Sequence, residues 1–268
     1  MRLVEIDALL KSAFSDATGK KDKRRLDRAH KLVTSKAAGL RQAYINSNGV
    51  SKWSPIKNRL TNILGNKCWY TEAELIGASL TIDHYRPKCD YWFLAFKAEN
   101  YRVACPYANS PKHNEEHGCA GGKGDSFPLL DPTEKAKGLR SIKRERPVIL
   151  DPCSEFDCQL VAFLPDGRPV IHPDFRSDSV AVRRIEDSKI LLNLDHPDFN
   201  AQRERLCNEI AADVKIFEEL PVGAASRAAI TLRLKERLSA KAPFSSAAHY
   251  YLRQHRHHAW VETLLATA

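Results

Sequence analysis

The sequence predicts an α+β protein that is mostly helical, and three observations support this class. Apolar residues recur at helical spacing near both ends of the chain, with charged residues between them. The central part instead carries short apolar runs among many Cys, His, Tyr, Pro and Gly. An Asp-Gly turn at residues 166–167 separates two further apolar runs and indicates a small β-hairpin. The expected parts are a basic helical segment over 1–66, a central module over 67–131, and a C-terminal region over 132–268 with short strands, then helices packed on the central module.

The N-terminal segment is expected to be helical. Helical spacing relates Leu26, His30, Val33, Ala37 and Leu40, with charged residues between them. A second helix is predicted from Trp53 to Leu64, where Gly65-Asn66 ends it.

This segment also holds the excess positive charge. Residues 1–60 contain 14 Lys and Arg against five Asp and Glu, whereas the rest of the chain carries 28 of each kind. The charge is densest over residues 20–28. Such a patch suits a phosphate backbone, because binding there releases counterions.

The remaining elements follow from shorter signals. Extended pieces are predicted around Leu80–Ile82 and Tyr101–Ala104, with a short helix near Asn109. Two strands are expected at 160–164 and 169–171, and helices at 180–192, 199–220 and 224–238. The repeated His-Pro-Asp-Phe at 172–175 and 196–199 is interpreted as a helix-entry turn, capped by Asp or a neighbouring Asn or Ser.

The bulk features exclude several classes of protein. The chain has no apolar run of about 18 residues, so no transmembrane span is predicted. Its first residues lack the basic-then-apolar pattern of a secretory signal. Seven cysteines form an odd set without an extracellular framework, which predicts reduced thiols in a cytoplasmic protein that has no membrane partner.

The most informative polar residues lie in the central module. Asp83 and His84 are adjacent, Asn100 follows, and Asn109 comes nine residues later. Cleaving a phosphodiester bond requires a base that takes a proton from water and a positive charge that offsets the charge growing on the phosphate and leaving oxygens. A neutral imidazole, whose ordinary pKa is about 6.5, can be the base. A divalent cation on oxygen ligands can supply the charge. The set therefore indicates metal-dependent hydrolysis of nucleic acid.

Each residue of the set has a predicted role. His84 is the predicted base, and Asn100 is predicted to fix its imidazole by a hydrogen bond. Asp83 and Asn109 are predicted metal ligands. His113 is a further candidate ligand, because it lies one helical turn beyond Asn109. Since neighbouring side chains of a strand point to opposite faces, the Asp83-His84 pair is expected at a strand end or bend.

Nearby basic residues are candidate substrate contacts. They are Arg86, Lys88, Lys112 and Lys123. The first two either hold a substrate phosphate or pair with carboxylates, for which Asp90 and Glu72 are the candidates. The glycine-rich stretch 121–125 lacks the spacing and the preceding strand of a nucleotide-binding P-loop. Its glycines are expected to let Lys123 approach the active centre or the substrate.

These residues belong to a longer run of motifs. The run comprises Cys68-Trp-Tyr-Thr-Glu72, Thr81-Ile-Asp-His-Tyr-Arg-Pro-Lys88, Trp92-Phe-Leu-Ala-Phe96, Glu99-Asn-Tyr-Arg-Val-Ala-Cys105-Pro-Tyr-Ala-Asn109 and residues 121–131. It resembles the HNH endonucleases, and more narrowly the HNH subunits of Septu-type and retron-associated anti-phage defence systems of bacteria. The resemblance covers about residues 50–210.

The resemblance implies a fold, a cofactor and partners. It implies a central ββα-metal (His-Me finger) module with one divalent ion, Mg²⁺ or Mn²⁺, held by Asp83 and Asn109. It also implies that His84 is the general base and that Asn100 orients it. The implied function is cleavage of DNA by the effector nuclease of a defence system, with an ATPase subunit or a retron complex as partner.

One departure from the HNH pattern concerns zinc. Many HNH proteins hold a structural Zn²⁺ with two Cys-x-x-Cys pairs. Here the pairs read Cys68 with Thr71 and Cys105 with Ala108, so each lacks its second thiolate. We expect no structural zinc, with Cys68 and Cys105 packing as small apolar residues. A rearranged zinc site stays open as an alternative, with His113, His117 and Cys119 as its candidate ligands.

Two other functions stay open. The same centre can cut RNA, for example tRNA, because the chemistry takes place at the phosphate and base contacts are not readable from this sequence. A non-catalytic nucleic-acid-binding subunit that keeps the HNH fold is the other alternative.

Overall fold

Helices at both ends of the chain surround a short-stranded centre in the computed structural model, which describes residues 1–75, 77–111, 118 and 120–267. Helix predominates, and the strands form two separate two-stranded antiparallel sheets. The predicted α+β class is therefore confirmed.

The N-terminal segment forms four helices: α1 (Ile6–Ala13), α2 (Ala17–Ser35), α3 (Ala38–Asn48) and α4 (Val50–Leu64). Asp16 begins α2, because its side chain accepts a hydrogen bond from the Gly19 N–H at 2.6 Å. Gly65 ends α4 at a φ of 90°, as its position in the sequence predicts. A Cβ there would lie 2.6 Å from the Lys241 carbonyl oxygen, so only glycine fits.

The apolar stripe predicted from Leu26 to Leu40 is wrong in its second half. Leu26 and Val33 are buried on α2, as expected. The helix then ends at Ser35, so the spacing no longer places later residues on the same face. Leu40 lies on α3 and is 60% exposed.

The centre contains a hairpin followed by a helix. Strand β1 (Thr81–His84) pairs antiparallel with β2 (Tyr101–Ala104), and α5 (Pro106–Asn109) follows directly. The register places Asp83 opposite Arg102 and His84 opposite Tyr101. His84 is the last residue of β1, so the prediction that the Asp-His pair lies at a strand end is confirmed.

The C-terminal region contains a second hairpin between helices. Its elements are α6 (Glu155–Gln159), β3 (Val161–Phe163), β4 (Pro169–Ile171), α7 (Ser179–Leu191), α8 (Pro197–Glu219), α9 (Ala225–Leu238), α10 (Ser245–Arg253) and α11 (Ala259–Ala266). The predicted hairpin and the three predicted helices are confirmed. Within the described ranges, no helix has both the length and the apolar character that crossing a membrane requires.

The two His-Pro-Asp-Phe turns do begin helical segments, but the predicted cap is wrong. The imidazole Nδ1 of His172 accepts from the Asp174 N–H at 3.3 Å, and Nδ1 of His196 accepts from the Asp198 N–H at 3.2 Å. The histidine itself therefore satisfies the free backbone donor at the start of each segment.

One buried hydrophobic cluster contains residues of all three expected parts, from Leu26 on α2 through Val103 on β2 to Leu252 on α10. A buried carboxylate joins the central and C-terminal parts. Glu72 accepts hydrogen bonds from Lys67 Nζ at 3.0 Å and Ser245 Oγ at 3.0 Å. Burial favours the neutral acid, but the charges of Lys67 and the N-terminus, together with hydrogen bonds from Ser246 and Lys67, outweigh it and lower the pKa of Glu72 to about 2. The central module is thus tied to α10 by a hydrogen bond to a buried carboxylate as well as by packing.

Candidate functional site

Four of the predicted site residues, Asp83, His84, Lys88 and Asn109, line one cavity of about 160 Å³ at the end of the first hairpin. Its lining consists of Ile82, Asp83, His84, Pro87, Lys88, Asn109, Gly124 and Asp125. Strand β1 supplies Asp83 and His84, and the helix that follows β2 supplies Asn109. The return of the chain beside this helix supplies the last two, because the N–H groups of Lys123 and Gly124 donate to the carbonyls of residues 108 and 109, each at 2.8 Å.

The His84 imidazole is held in one orientation. Its Nε2 lies 2.9 Å from the Ala95 carbonyl oxygen. A carbonyl only accepts, so Nε2 carries the proton and Nδ1 of the neutral ring keeps a lone pair. The ring packs edge-on against Trp53 of α4 at 4.7 Å and Tyr101 of β2 at 5.1 Å between centroids. Burial lowers the pKa of His84 to about 4, so the ring is neutral at pH 7.

Asp83 is fixed by two donors from different parts of the chain. Its Oδ2 accepts from the Tyr70 hydroxyl at 2.6 Å, and its Oδ1 accepts from Lys123 Nζ at 2.9 Å. The ammonium of Lys123 also donates to the His84 carbonyl oxygen at 2.9 Å. Lys123 is 1% exposed and Asp83 is 4% exposed, so this ion pair is almost fully withdrawn from water. The glycine-rich stretch thus brings Lys123 to Asp83 and not to an open surface.

The donor set suits a hard divalent cation. The Asn109 Nδ2 donates to Thr81 Oγ1 at 3.3 Å, and its amide oxygen has no hydrogen-bond partner in the described part of the chain. Each Asp83 oxygen has a second lone pair beyond its one hydrogen bond. Asp125 adds another carboxylate to the cavity. Mg²⁺ binds oxygen donors and is typically held by one or two carboxylates, with water and substrate phosphate as its other ligands, so the residues fit the ion that the sequence implied.

Asn100 holds the backbone that follows His84, and its side chain does not contact the imidazole. Its Oδ1 accepts from the Arg86 N–H and its Nδ2 donates to the Arg86 carbonyl, both at 2.9 Å. The Tyr85 N–H donates to the Asn100 carbonyl at 2.9 Å. The predicted bond from Asn100 to His84 is therefore wrong. The imidazole is fixed by Ala95, and Asn100 acts only on the turn beyond it.

The predicted basic contacts separate in space. Lys88 lines the same cavity as His84, whereas Arg86 lines a different one and pairs with Glu145 at 2.6 Å. The suggested partners Asp90 and Glu72 are wrong for both residues, because these carboxylates pair with Lys135 at 2.8 Å and with Lys67 at 3.0 Å. The predicted phosphate contact Lys112 and the predicted ligand His113 lie outside the described residues.

The four positions of the two expected Cys-x-x-Cys pairs lie close together. Cys68 and Cys105 are fully buried, and their thiols lie close enough to affect each other's pKa. Thr71 Oγ1 lies 3.9 Å from Cys105 Sγ, and Ala108 is also fully buried. The neighbouring Cys68 thiol and burial raise the pKa of Cys105, so its thiol is protonated at pH 7. In the ranges that the structure describes, no third His, Cys, Asp or Glu joins Cys68 and Cys105 to hold a metal ion. The alternative site at His113, His117 and Cys119 lies outside those ranges.

This arrangement predicts that a zinc site can be restored. Changing both Thr71→Cys and Ala108→Cys places four thiols where Cys68 and Cys105 already meet. We expect the double variant to retain one Zn²⁺ per chain after dialysis against a mild chelator, because four thiolates form a closed tetrahedral site. Elemental analysis gives the stoichiometry, and Co²⁺ substitution reports the thiolate ligation by absorption. Thr71→Cys alone is the matched control. One chelator-resistant zinc in the unchanged protein would show that the expected zinc-free state is wrong.

The predicted basic patch is accessible. Lys20, Lys21, Lys23, Arg24, Arg25 and Arg28 all lie on α2 with exposed side chains. A cavity of about 450 Å³ is lined by Arg25, Arg28 and Lys52, the last of which precedes Trp53 on α4. Since Trp53 contacts the His84 ring, this basic surface and the candidate site share one helix.

Three features of the site could not be predicted from the sequence. The backbone carbonyl of Ala95 orients His84, but the residue type of Ala95 does not indicate this role. Trp53 lies 31 residues before His84 and looks like any apolar helix residue. Asp125 is the last residue of the glycine-rich stretch, and its nearness to Lys123 was the one available signal for it.

No protein-family model and no curated protein matches the chain.

Proposed function

We propose that this protein is a metal-dependent endonuclease that hydrolyses phosphodiester bonds, with DNA as its substrate. One observation carries the proposal: Asp83, His84 and Asn109 meet in one small polar cavity, and the His84 ring is anchored through Nε2 with its Nδ1 lone pair unused by the described residues. An imidazole fixed by a backbone carbonyl on one nitrogen has the arrangement of a general base on the other. The strand-strand-helix order around the cavity is the order that the HNH resemblance implied.

In this proposal each residue has one task. His84 Nδ1 takes the proton of the attacking water. Asp83 and Asn109, with Asp125 beside them, would hold a divalent ion, which would supply positive charge to the phosphate oxygens. Lys88 lies at the same cavity and offers its ammonium to a neighbouring phosphate. Asn100 keeps the turn after His84 in place.

The exposed cations of α2 support nucleic acid as the substrate. Six Lys and Arg side chains within two and a half turns offset the charge of several phosphates, which strengthens binding through counterion release. The resemblance to Septu-type and retron-associated subunits extends the proposal to an ATPase-containing defence complex as the setting of this activity.

The proposal is tested by incubating the purified chain with supercoiled plasmid, linear duplex DNA and tRNA. Each substrate is combined with Mg²⁺, Mn²⁺ or EDTA. We expect nicking or cleavage of DNA with Mg²⁺ or Mn²⁺ and none with EDTA. Asp83→Asn and Asn109→Ala should each raise the metal concentration needed for half-maximal rate, because each removes an oxygen ligand or its charge. Cleavage of tRNA alone would assign the activity to RNA. Cleavage that persists in EDTA would contradict the metal-dependent mechanism.

A further inference from the structure

A second cavity, of about 520 Å³, lies between α2, the turn Trp92–Leu94 and the 3-10 helix Leu139–Arg144. It is separate from the cavity of Asp83 and His84. Its lining combines two kinds of side chain. Trp92, Phe93 and Leu139 are apolar, whereas Lys137, Arg140 and Arg144 are cationic.

The charge of this cavity is unbalanced. Its lining contains three cations and no carboxylate. None of the three forms an ion pair with another described residue. The cavity around Arg184 is different, because its arginines are already paired: Arg184 with Asp157 at 2.6 Å, and Arg146 with Glu134 at 3.1 Å. An unbalanced cluster of Lys and Arg favours an anionic ligand, and arginine suits phosphate because its planar fork can donate two hydrogen bonds.

The apolar side of the cavity favours a flat ring. Trp92 lines it and already binds one guanidinium, that of Arg41, at 3.8 Å from the ring centroid. Leu139, which is 51% exposed, adds an accessible apolar side chain to the same lining. His30 also lines the cavity, and its Nδ1 is buried with no hydrogen-bond partner among the described residues. A ring with polar edges fits these neighbours better than an aliphatic chain.

We propose that this cavity binds a nucleotide unit. The phosphate lies against Arg140, Arg144 and Lys137, and the base lies against Trp92 and Leu139. Stacking on an aromatic residue beside cations that hold the backbone is how proteins bind single-stranded nucleic acid without reading its sequence. A free nucleotide presents the same chemistry as a nucleotide within a strand.

The position of the cavity gives such binding a consequence. Trp92 and Leu94 belong to the connection between β1 and β2, and the next residue is Ala95, whose carbonyl orients the His84 ring. A nucleotide held at Trp92 therefore contacts the segment that fixes the imidazole. If the ligand is a strand, the inference rests on the proposed nuclease function and adds a contact outside the cleavage cavity. Binding of a free nucleotide does not depend on that function.

The test measures binding in EDTA, so that cleavage cannot interfere. Fluorescein-labelled 12-nucleotide oligo-dT, an RNA of the same length, free ATP and AMP, and inorganic phosphate are titrated against the full chain. The test variant is Arg140→Ala/Arg144→Ala. Its matched control is Arg205→Ala/Arg253→Ala, which removes two arginines of α8 and α10 that are also exposed and form no ion pair with another described residue. All four positions are exposed, so the fold should be retained, and circular dichroism checks this.

We expect the test variant to bind about tenfold or more weakly than the unchanged chain, whereas the control changes by less than about threefold, since two lost phosphate contacts outweigh a general change in charge. For the oligonucleotides, the slope of log affinity against log salt should fall by about 1.4, which is about 0.7 for each lost contact. Ligand addition should quench the emission of Trp92, as judged against Trp92→Leu.

The outcomes are separable. Binding of oligonucleotides alone identifies a strand as the source, and binding of ATP or AMP at comparable affinity identifies a free nucleotide. Equal weakening in both double variants, equal binding of inorganic phosphate, or no binding to the unchanged chain at millimolar ligand would each overturn the inference. The two claims fail independently. The proposed nuclease function is tested by metal-dependent cleavage, whereas nucleotide binding at this cavity is tested by affinity without metal.

Discussion

Replacing His84 by alanine is expected to lower the rate of DNA cleavage by about 10² to 10⁴-fold, the usual contribution of a positioned general base. The expectation rests on geometry. The ring is anchored through Nε2 to the Ala95 carbonyl at 2.9 Å and packed against Trp53 and Tyr101, so His84 has a fixed orientation in the cavity lining. Alanine removes the only imidazole among the described residues that line the cavity. Single-turnover rates with saturating Mg²⁺ measure the loss without a contribution from substrate binding.

Two controls separate chemistry from folding. His257→Ala removes an exposed histidine from the turn after α10 and should leave the rate unchanged. His84→Gln keeps much of the buried volume while it removes the base, so it should also be inactive even if the alanine variant loses stability. Thermal unfolding and affinity for DNA in EDTA are measured for each protein. A folded His84→Ala variant that cleaves at the original rate would refute the proposed role.

Lys123→Met is expected to destabilise the protein by about 3–5 kcal/mol, the cost of leaving one member of a buried ion pair without its partner. Asp83 would remain almost fully buried with only the Tyr70 hydroxyl as a side-chain donor. Urea unfolding of both proteins, compared at equal slopes, measures the difference. The exposed pair of Lys135 with Asp90 is the matched control. Its distance of 2.8 Å is nearly the same, but both side chains are more than 40% exposed, so Lys135→Met should cost less than about 1 kcal/mol.

A double-mutant cycle identifies the carboxylate as the cause. Asp83→Asn/Lys123→Met should be more stable than Lys123→Met alone, because the second change removes the stranded charge. Equal costs for Lys123→Met and Lys135→Met would show that burial does not strengthen the Lys123 interaction. The cycle is measured without added metal, so that stabilisation by ligand binding does not enter the comparison.

The fold could be predicted where local signals decide it. Helices α7, α8 and α9 follow from apolar spacing, and β3 and β4 from the Asp166-Gly167 turn between two apolar runs. Sequence signals failed to predict the ion-pair partner of a polar side chain that had several candidates. The sequence suggests Asp90 or Glu72 for Arg86, but the fold brings Glu145 from 59 residues away. Proximity along the chain ranks such partners poorly, because tertiary packing decides which carboxylate is near.

The site shows the same division. The adjacency of Asp83 and His84 and the nine-residue spacing between Asn100 and Asn109 pointed to three residues that line the cavity. These are Asp83, His84 and Asn109. The bond expected between Asn100 and His84 was wrong, because the amide is bonded to the backbone of Arg86 on both its atoms. A backbone carbonyl, that of Ala95, orients the imidazole instead. Carbonyls occur at every residue, so residue types alone cannot indicate which one will do so.

Because Trp53 contacts His84, helix α4 of the N-terminal segment forms part of the surroundings of the proposed base. Trp53 belongs to α4, which precedes the strands and lies outside residues 67–131. A fragment limited to those residues would keep Asp83, His84 and Asn109 but would open one side of the imidazole to water. The ring would lose much of its desolvation and part of its orientation. The smallest unit with an intact centre therefore begins before α4.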